Sequence, residues 1–479
     1  MKGNQVMNLQ NSMKKYLISV LFFLMSIGTF SSFAQRQEIS YFFKEVPNLS
    51  NLNPAMTPTS GFYISLLAAP SFGFNTSGFC YHDIINRHPQ YPDSLRIDVD
   101  GFMDKLKRNN YLAFEYEHGL FGFGFKAGKN YISFETALNI DTRFSFSRGA
   151  FDLIVYGTDV ASGEATLFDG DLLEVNAYLS NAIGYAREIN DKLTIGVRAK
   201  VLIGIANIHT KKTSLGLQFN EDSEIMARGE IDLQTSNIFG AYDISSVFAD
   251  SAMQNFQMNS VDQILDDMTK NLGFAFDVGA TYRFNDHMEA GLAISDIGVM
   301  NWNTNCEGIK TMNPGKDVRF EGVEAPLDSL GSSITSYLET VVDSLKDAFD
   351  IQSVGINAYS TVLPMKIKAS YTLRFAGVNY LHVLANTKFW NGNMMDTRLS
   401  VFYALRTKPF SISVGNTIMS QSVFNPSVMM SISSGGPSLH LGASFRTAGA
   451  ASFNVADMSG FSAFFGVTWR FGNKSYWKK

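Results

Sequence analysis

Residues 365–375 read MKIKASYTLRF, and apolar side chains alternate with polar ones along the whole segment. The odd positions hold Met, Ile, Ala, Tyr, Leu and Phe, and the even positions hold Lys, Lys, Ser, Thr and Arg. Successive side chains of a β-strand point to opposite faces of its sheet, so this strand would have one apolar and one polar face. The alternation recurs at 194–205, 276–284 and 398–406. The sequence therefore predicts an all-β fold.

The composition points to the kind of β fold. Charged residues make up 17% of the 479 residues, aromatic residues 13%, and there are 39 glycines. An average globular chain has about 25% charged residues. Lys and Arg total 39 against 44 Asp and Glu, which argues against nucleic acid as a partner. Two cysteines exclude a disulfide scaffold. A charge-poor chain rich in glycine and aromatic residues is typical of a membrane β-barrel.

A soluble β-sandwich would show the same period of two. The alternating segments favour the barrel because they run for more than the roughly five or six residues of a soluble strand. Aromatic residues also gather at strand ends, as in the girdles of membrane barrels; they are Tyr282, Phe284, Phe375, Trp469 and Phe471. We therefore predict a transmembrane antiparallel β-barrel of about 14 strands.

The strands can be placed by their alternation and by the turns between them. They are expected at 61–79, 111–127, 130–147, 172–188, 192–209, 272–285, 287–303, 363–376, 378–390, 395–406, 409–420, 424–434, 437–447 and 459–471. An even number puts both ends of the barrel on the periplasmic side. Four insertions then lie on the outer face, at 80–110, 148–171, 210–271 and 304–362.

Two of these insertions are predicted to contain helices. Apolar residues recur every three or four positions from Leu327 to Phe349, which indicates an amphipathic helix, and 247–270 is expected to hold another. Such helices serve either as structural caps of the barrel mouth or as a lid over a ligand, and the sequence leaves both open.

The N-terminal segment 1–34 is predicted to be a cleaved signal peptide. It has no Asp or Glu, Lys14 and Lys15 precede an apolar run, and Ser32-Phe33-Ala34 fits a cleavage site. A retained membrane anchor is the alternative. The predicted organisation is a signal peptide at 1–34, a plug segment at 35–60, a barrel at 61–471 and a tail at 472–479, located in the outer membrane in contact with its lipid.

The segment Leu52-Asn53-Pro54-Ala55, followed by a strand rich in glycine and aromatic residues, resembles the N-terminal signature of fatty-acid-transporter-like barrels. The strand ends at 282–284 and 469–472 fit the same group. The chain looks most similar to an uncharacterised Bacteroidota outer-membrane family related to the long-chain fatty acid transporter and the type IX secretion shuttle barrel. The resemblance implies that 35–60 plugs the lumen, with Asn53, Pro54 and Ala55 as plug residues. Three prolines, which cannot donate a backbone hydrogen bond, also argue that this segment is not a wall strand.

Charged side chains on the polar strand faces are expected to line the lumen. The candidates are Glu135, Arg198, Lys200, Asp277, Arg283, Lys366, Lys368, Arg374 and Arg398. They form either a structural ion-pair network or a cationic path for an anionic solute or the head group of an amphiphile, and the two roles are compatible. A closed barrel of 14 strands is wide enough to leave such groups hydrated.

The sequence shows no motif of an enzyme, a metal site or a cofactor site. Cys80 and Cys306 either pair across the mouth or remain separate thiols. Two functions stay open at this point. The first is an outer-membrane barrel that binds or transports a hydrophobic or amphiphilic small molecule. The second is a non-transporting scaffold or shuttle for secreted or surface proteins.

Overall fold

The computed structural model describes sixteen stretches of the chain. These are residues 36–43, 47–87, 91, 95–149, 151–152, 164–170, 172–219, 225–238, 260–312, 318–320, 349–390, 393–407, 409–420, 422–433, 436–448 and 454–472. They contain 22 strands, numbered β1–β22 in chain order.

Fourteen of these strands form a closed antiparallel barrel. They are β1 (Phe62–Thr76), β4 (Asn109–Ala127), β5 (Asn130–Ser147), β7 (Leu173–Glu188), β8 (Leu193–Phe219), β10 (Leu272–Asn285), β11 (Met288–Trp302), β16 (Met365–Phe375), β17 (Asn379–Trp390), β18 (Asn393–Arg406), β19 (Phe410–Met419), β20 (Pro426–Ser433), β21 (Pro437–Thr447) and β22 (Met458–Phe471). Each pairs with the next barrel strand, and β22 pairs with β1 to close the wall. The predicted fold class and strand count are confirmed.

The barrel has an apolar outer face and a polar inner face. On β8 the side chains of Ile195, Val197 and Val201 are 46%, 53% and 43% exposed. Arg198 and Lys200, on the opposite face of the same strand, are 4% and 7% exposed. A soluble sandwich would bury its apolar face, whereas this barrel turns it outwards, as a bilayer requires.

The remaining strands lie in the connections at one end of the barrel. They are β2 (Ile85–Arg87), β3 (Leu95–Ile97), β6 (Glu164–Asp169), β9 (Ile225–Asn237), β12 (Glu307–Thr311), β13 (Val318–Phe320), β14 (Ile351–Gly355) and β15 (Tyr359–Val362). Strand β8 continues past the predicted end at 209 to Phe219 and forms a long hairpin with β9. β12 and β13 pair with β9, so the insertion at 210–271 is partly strand rather than only loop and helix.

Short helices accompany these strands. The α-helices span Arg36–Ser40, Tyr81–Ile84, Val99–Lys105 and Val261–Met268, and 3-10 helices span Pro47–Asn51 and Val455–Asp457. None of the described helices is long and apolar enough to cross a membrane.

The two predicted helices of the insertions have different outcomes. In the segment 247–270, a helix spans Val261–Met268. Ser260 caps the start of this helix, because its Oγ accepts a hydrogen bond from the backbone N–H of Gln263 at 3.3 Å. Residues 239–259 lie outside the described chain. The other predicted helix, from Leu327 to Phe349, also lies outside the described chain, except for the buried Phe349.

Candidate functional site in the barrel lumen

Residues 36–43 and 47–60 of the N-terminal segment contact the inside of the barrel wall. Its apolar side chains include Tyr41 and Phe43, both 0% exposed. They belong to a buried cluster with four inward-facing wall residues, here called the plug seat: Leu384, Phe402, Met429 and Phe464. One end of the lumen is therefore filled by apolar packing rather than by water.

Polar contacts fasten the same segment to the wall. The Glu38 Oε1 accepts from Arg398 Nη1 and from Asn386 Nδ2, each at 3.1 Å. The Asn51 Nδ2 donates to the Glu135 Oε1 at 2.9 Å. Glu38 and Asn51 thus fix the segment to wall strands on different sides of the barrel, β17 and β18 for Glu38 and β5 for Asn51.

The Asn53-Pro54-Ala55 turn lies closest to the wall. Asn53 Nδ2 donates to the Tyr41 hydroxyl at 3.2 Å and to two wall carbonyls, and its Oδ1 accepts from the Ala55 amide at 2.9 Å. A Cβ at Gly279 would lie 2.1 Å from Asn53 Oδ1, and one at Gly196 would lie 2.3 Å from the Pro54 carbonyl. Glycine at these two wall positions lets the turn approach the backbone of the barrel.

Beside the segment, buried charges form a chain of ion pairs. The Arg198 guanidinium lies 3.1 Å from Glu135 and 3.5 Å from Asp277. The Lys200 Nζ lies 2.7 Å from Asp277 and 2.6 Å from Asp296. The chain ends at Lys366, which lies 3.2 Å from Asp296. Each buried charge in the chain has an opposite charge beside it, which offsets the cost of removing it from water.

A second group of charges lies across the lumen. The Lys388 Nζ lies 3.1 Å from Glu115 and 3.3 Å from Asp141. Arg398 also contacts Asp396 at 2.6 Å. The two groups face one cavity, which is partly open to solvent.

The lining of this cavity is balanced in charge. It contains six carboxylates and six cations; they are Glu38, Glu115, Glu117, Asp141, Asp296 and Asp396, and Arg198, Lys200, Lys366, Lys368, Lys388 and Arg398. The lining therefore holds both signs of charge. The site is a polar chamber with a neutral sum of charges.

The structure separates the nine candidate lumen residues into three groups. Arg198, Lys200, Lys366, Lys368 and Arg398 line the cavity. Glu135 and Asp277 are buried beside it and pair with Arg198.

The other two candidates, Arg283 and Arg374, lie near the short turns of the barrel, at the end opposite the long connections. The Arg374 Nε donates to the Gly377 carbonyl at 2.7 Å, and the Arg283 Nε lies 4.0 Å from Glu289. Neither of them lines the cavity.

Sequence reasoning missed several residues of the site. Asp296 has φ 63° and marks a bulge, where β11 gains one residue against β10 between Phe276 and Val278. A bulge shifts the inside–outside alternation by one, so a strict period of two places Asp296 on the wrong face. The signal available for the plug seat was Phe402, an apolar residue on an otherwise polar strand face.

The described residues show little sign of other chemistry. Among them, no group of three or more His, Cys, Asp or Glu side chains could hold a metal ion. Cys80 and Cys306 are both free thiols. Burial, helped by the neighbouring Asp83, raises the pKa of Cys80 to about 12, so its thiol stays protonated at neutral pH.

Comparison with solved structures finds matches at very low identity. The toluene transporter TbuX of Ralstonia pickettii is 8% identical, with 89% of this chain and 93% of that chain covered and a TM-score of 0.41. A FadL homologue of Pseudomonas aeruginosa is 10% identical, covering 89% and 94%, with a TM-score of 0.42. These TM-scores are too low to carry an argument about function.

Comparison of the sequence with known proteins gives a family. No curated protein matches the chain. The model of a family of unknown function, DUF5723, matches residues 54–444, which begin at Pro54 of the plug turn and end in β21. A match of this extent covers most of the barrel wall, and the chain therefore belongs to the DUF5723 family.

Proposed function

We propose that the protein is an integral outer-membrane barrel that binds or transports a hydrophobic or amphiphilic ligand, with residues 35–60 as a plug in its periplasmic end. The observation that carries the proposal is the position of this segment inside the lumen, next to the charge-lined cavity. Residues 1–34 act as a cleaved signal peptide in this proposal. The even number of strands then places the plug on the periplasmic side and the β8–β9 hairpin outside the cell.

The wall offers a route for the apolar part of such a ligand. Between the pairs Ile64–Trp469 and Ser71–Phe464, six residues of β1 lie opposite four residues of β22. The ladder between these strands is interrupted there, and Pro70 lacks an N–H group that could restore it. Ser71, at the end of the interruption, lines the cavity. An amphiphile can thus keep its tail near the bilayer while its head group reaches the polar chamber.

The plug role can be tested by deleting residues 38–58 and measuring single-channel conductance in planar bilayers. We expect a higher conductance than for the intact chain, because the deletion removes Glu38, the apolar cluster and the Asn53 turn together. Heat-modifiable gel migration serves as the control that the deleted chain still folds.

A folded deletion variant that conducts no more than the intact protein would remove the plug role. It would favour the alternative, a scaffold or shuttle that holds secreted or surface proteins. Mass spectrometry of lipids and proteins that co-purify with the native protein separates these two functions directly.

A further inference from the structure

The ion pairs of the lumen leave two buried oxygens without a hydrogen bond, and a buried lysine without an ion pair lies beside them. Lys368 is 1% exposed and lines the cavity, yet it forms no hydrogen bond or ion pair with a described residue. Asn386 lies directly opposite Lys368 in the pairing of β16 with β17. The buried Asn386 Oδ1 and Glu38 Oε2 also have no hydrogen-bond partner among the described residues.

The three residues form one cluster. The Asn386 Nδ2 donates to the other carboxylate oxygen of Glu38 at 3.1 Å, which fixes the two side chains against each other. Directly opposed residues of an antiparallel pair have Cβ atoms about 5 Å apart, so Lys368 lies beside them. All three residues line the same cavity. We call Glu38, Lys368 and Asn386 the inner cluster.

The inner cluster presents both kinds of hydrogen-bonding group. The Lys368 ammonium can only donate, whereas the free Glu38 and Asn386 oxygens can only accept. A simple anion would satisfy Lys368 but meet the Glu38 carboxylate, and a simple cation would satisfy Glu38 but meet Lys368 and Arg398. A hydroxyl group donates and accepts at once, so neighbouring hydroxyls satisfy all three atoms.

The rest of the cavity agrees with a neutral, hydroxyl-bearing ligand. Its lining has equal numbers of carboxylates and cations, so it has no net charge that would favour an ion of either sign. The buried Tyr178 also lines it.

We propose that the inner cluster binds a polyhydroxylated group of the sugar class, either as the head group of an amphiphile or as a free sugar. This inference rests on the proposed function, since it names the chemistry of the polar part of the ligand. Glu38 belongs to the plug, so a ligand at the inner cluster touches the plug and the wall together.

The experiment uses the full chain in phosphatidylcholine nanodiscs and isothermal titration calorimetry. The probes are maltose and n-octyl β-D-glucoside, the latter below its micelle-forming concentration, with sodium acetate and choline chloride as the ionic comparisons. We expect saturable binding of at least one sugar probe. Lys368→Met and, independently, Asn386→Leu should each weaken it at least tenfold.

The matched control is Lys126→Gln, which changes a lysine at the rim that pairs with Glu188 outside the cavity. Its affinity for the sugar probe should equal that of the intact chain. Binding of octyl glucoside alone identifies a lipid head group, binding of maltose alone a free sugar, and either supports the class.

Three results would overturn the inference. They are the absence of saturable binding by both sugar probes, tighter binding of acetate or choline than of either sugar, and sugar affinity unchanged by both inner-cluster substitutions. The conductance of the 38–58 deletion needs no sugar, so a failure of the plug and a failure of the sugar site are observed separately.

Discussion

The two parts of the barrel interior solve the same packing problem by opposite means. At the periplasmic end, in the proposed orientation, the plug buries apolar side chains against the plug seat of Leu384, Phe402, Met429 and Phe464. Higher in the lumen, the space is lined by ion pairs around a cavity. Apolar packing excludes water from the space it fills, whereas paired charges keep a hydrated chamber open. In the proposed function, the apolar part is the closed end and the charged part is the binding chamber.

The largest expected effect comes from the charged part. Arg198→Met removes the partner of both Glu135 and Asp277 and leaves two buried carboxylates without it. We expect the free energy of unfolding of the barrel to fall by about 3–5 kcal/mol. The loss of stability is measured as a lower urea midpoint of unfolding in detergent micelles. The control is Arg187→Met, at an exposed rim position. Equal midpoints for the two variants would show that the lumen charges are not a structural network.

A smaller effect, confined to the plug, is expected from the apolar part. Phe43→Ala removes a ring that is 0% exposed and should weaken docking of the plug by about 3 kcal/mol. Tryptic cleavage within the N-terminal segment should become faster, while the urea midpoint of the barrel stays the same. Phe375→Ala, on the exposed outer face, is the control. A lower urea midpoint of the barrel for Phe43→Ala would contradict this separation of plug and wall, because docking of the plug would then stabilise the barrel itself.

The smallest effect lies at the border between the two parts. Glu38→Gln keeps the shape of the side chain but loses the charge that faces Arg398 at 3.1 Å. We expect plug docking to weaken by about 1.5 kcal/mol, which again appears as faster tryptic cleavage. Glu188→Gln, at the exposed pair with Lys126, should change neither cleavage nor stability measurably. If Glu38→Gln leaves cleavage unchanged, the apolar seat alone holds the plug.

The alternation in the sequence was sufficient to predict the wall. All 14 expected barrel strands are found, because a wall strand between bilayer and lumen must alternate and its turns are short. The extension of β8 beyond 209 was missed. Outside the bilayer neither face of a hairpin has to be apolar, so Lys211, Lys212 and Thr213 give no strand signal.

The candidate site could be predicted only in part, for physical reasons. Strand parity says which wall side chains point inwards, and it placed Arg198 and Lys200 there. It cannot say which charges meet across the lumen, as Lys388 and Glu115 do. It also fails after a bulge, as at Asp296, and it says nothing about a segment such as the one that brings in Glu38. These parts of the site depend on long-range packing.

The length of β8 has a consequence at the cell surface. A transmembrane strand needs about 9–11 residues, and β8 has 27. In the proposed orientation, about 16 residues therefore continue past the bilayer, which is roughly 50 Å along the strand. Because β9 pairs with this part of β8 over its whole length, the projection is a stiff ribbon rather than a loose loop. Lys211 and Lys212 are exposed on this ribbon, where they pair with Asp232 and Glu230 of β9.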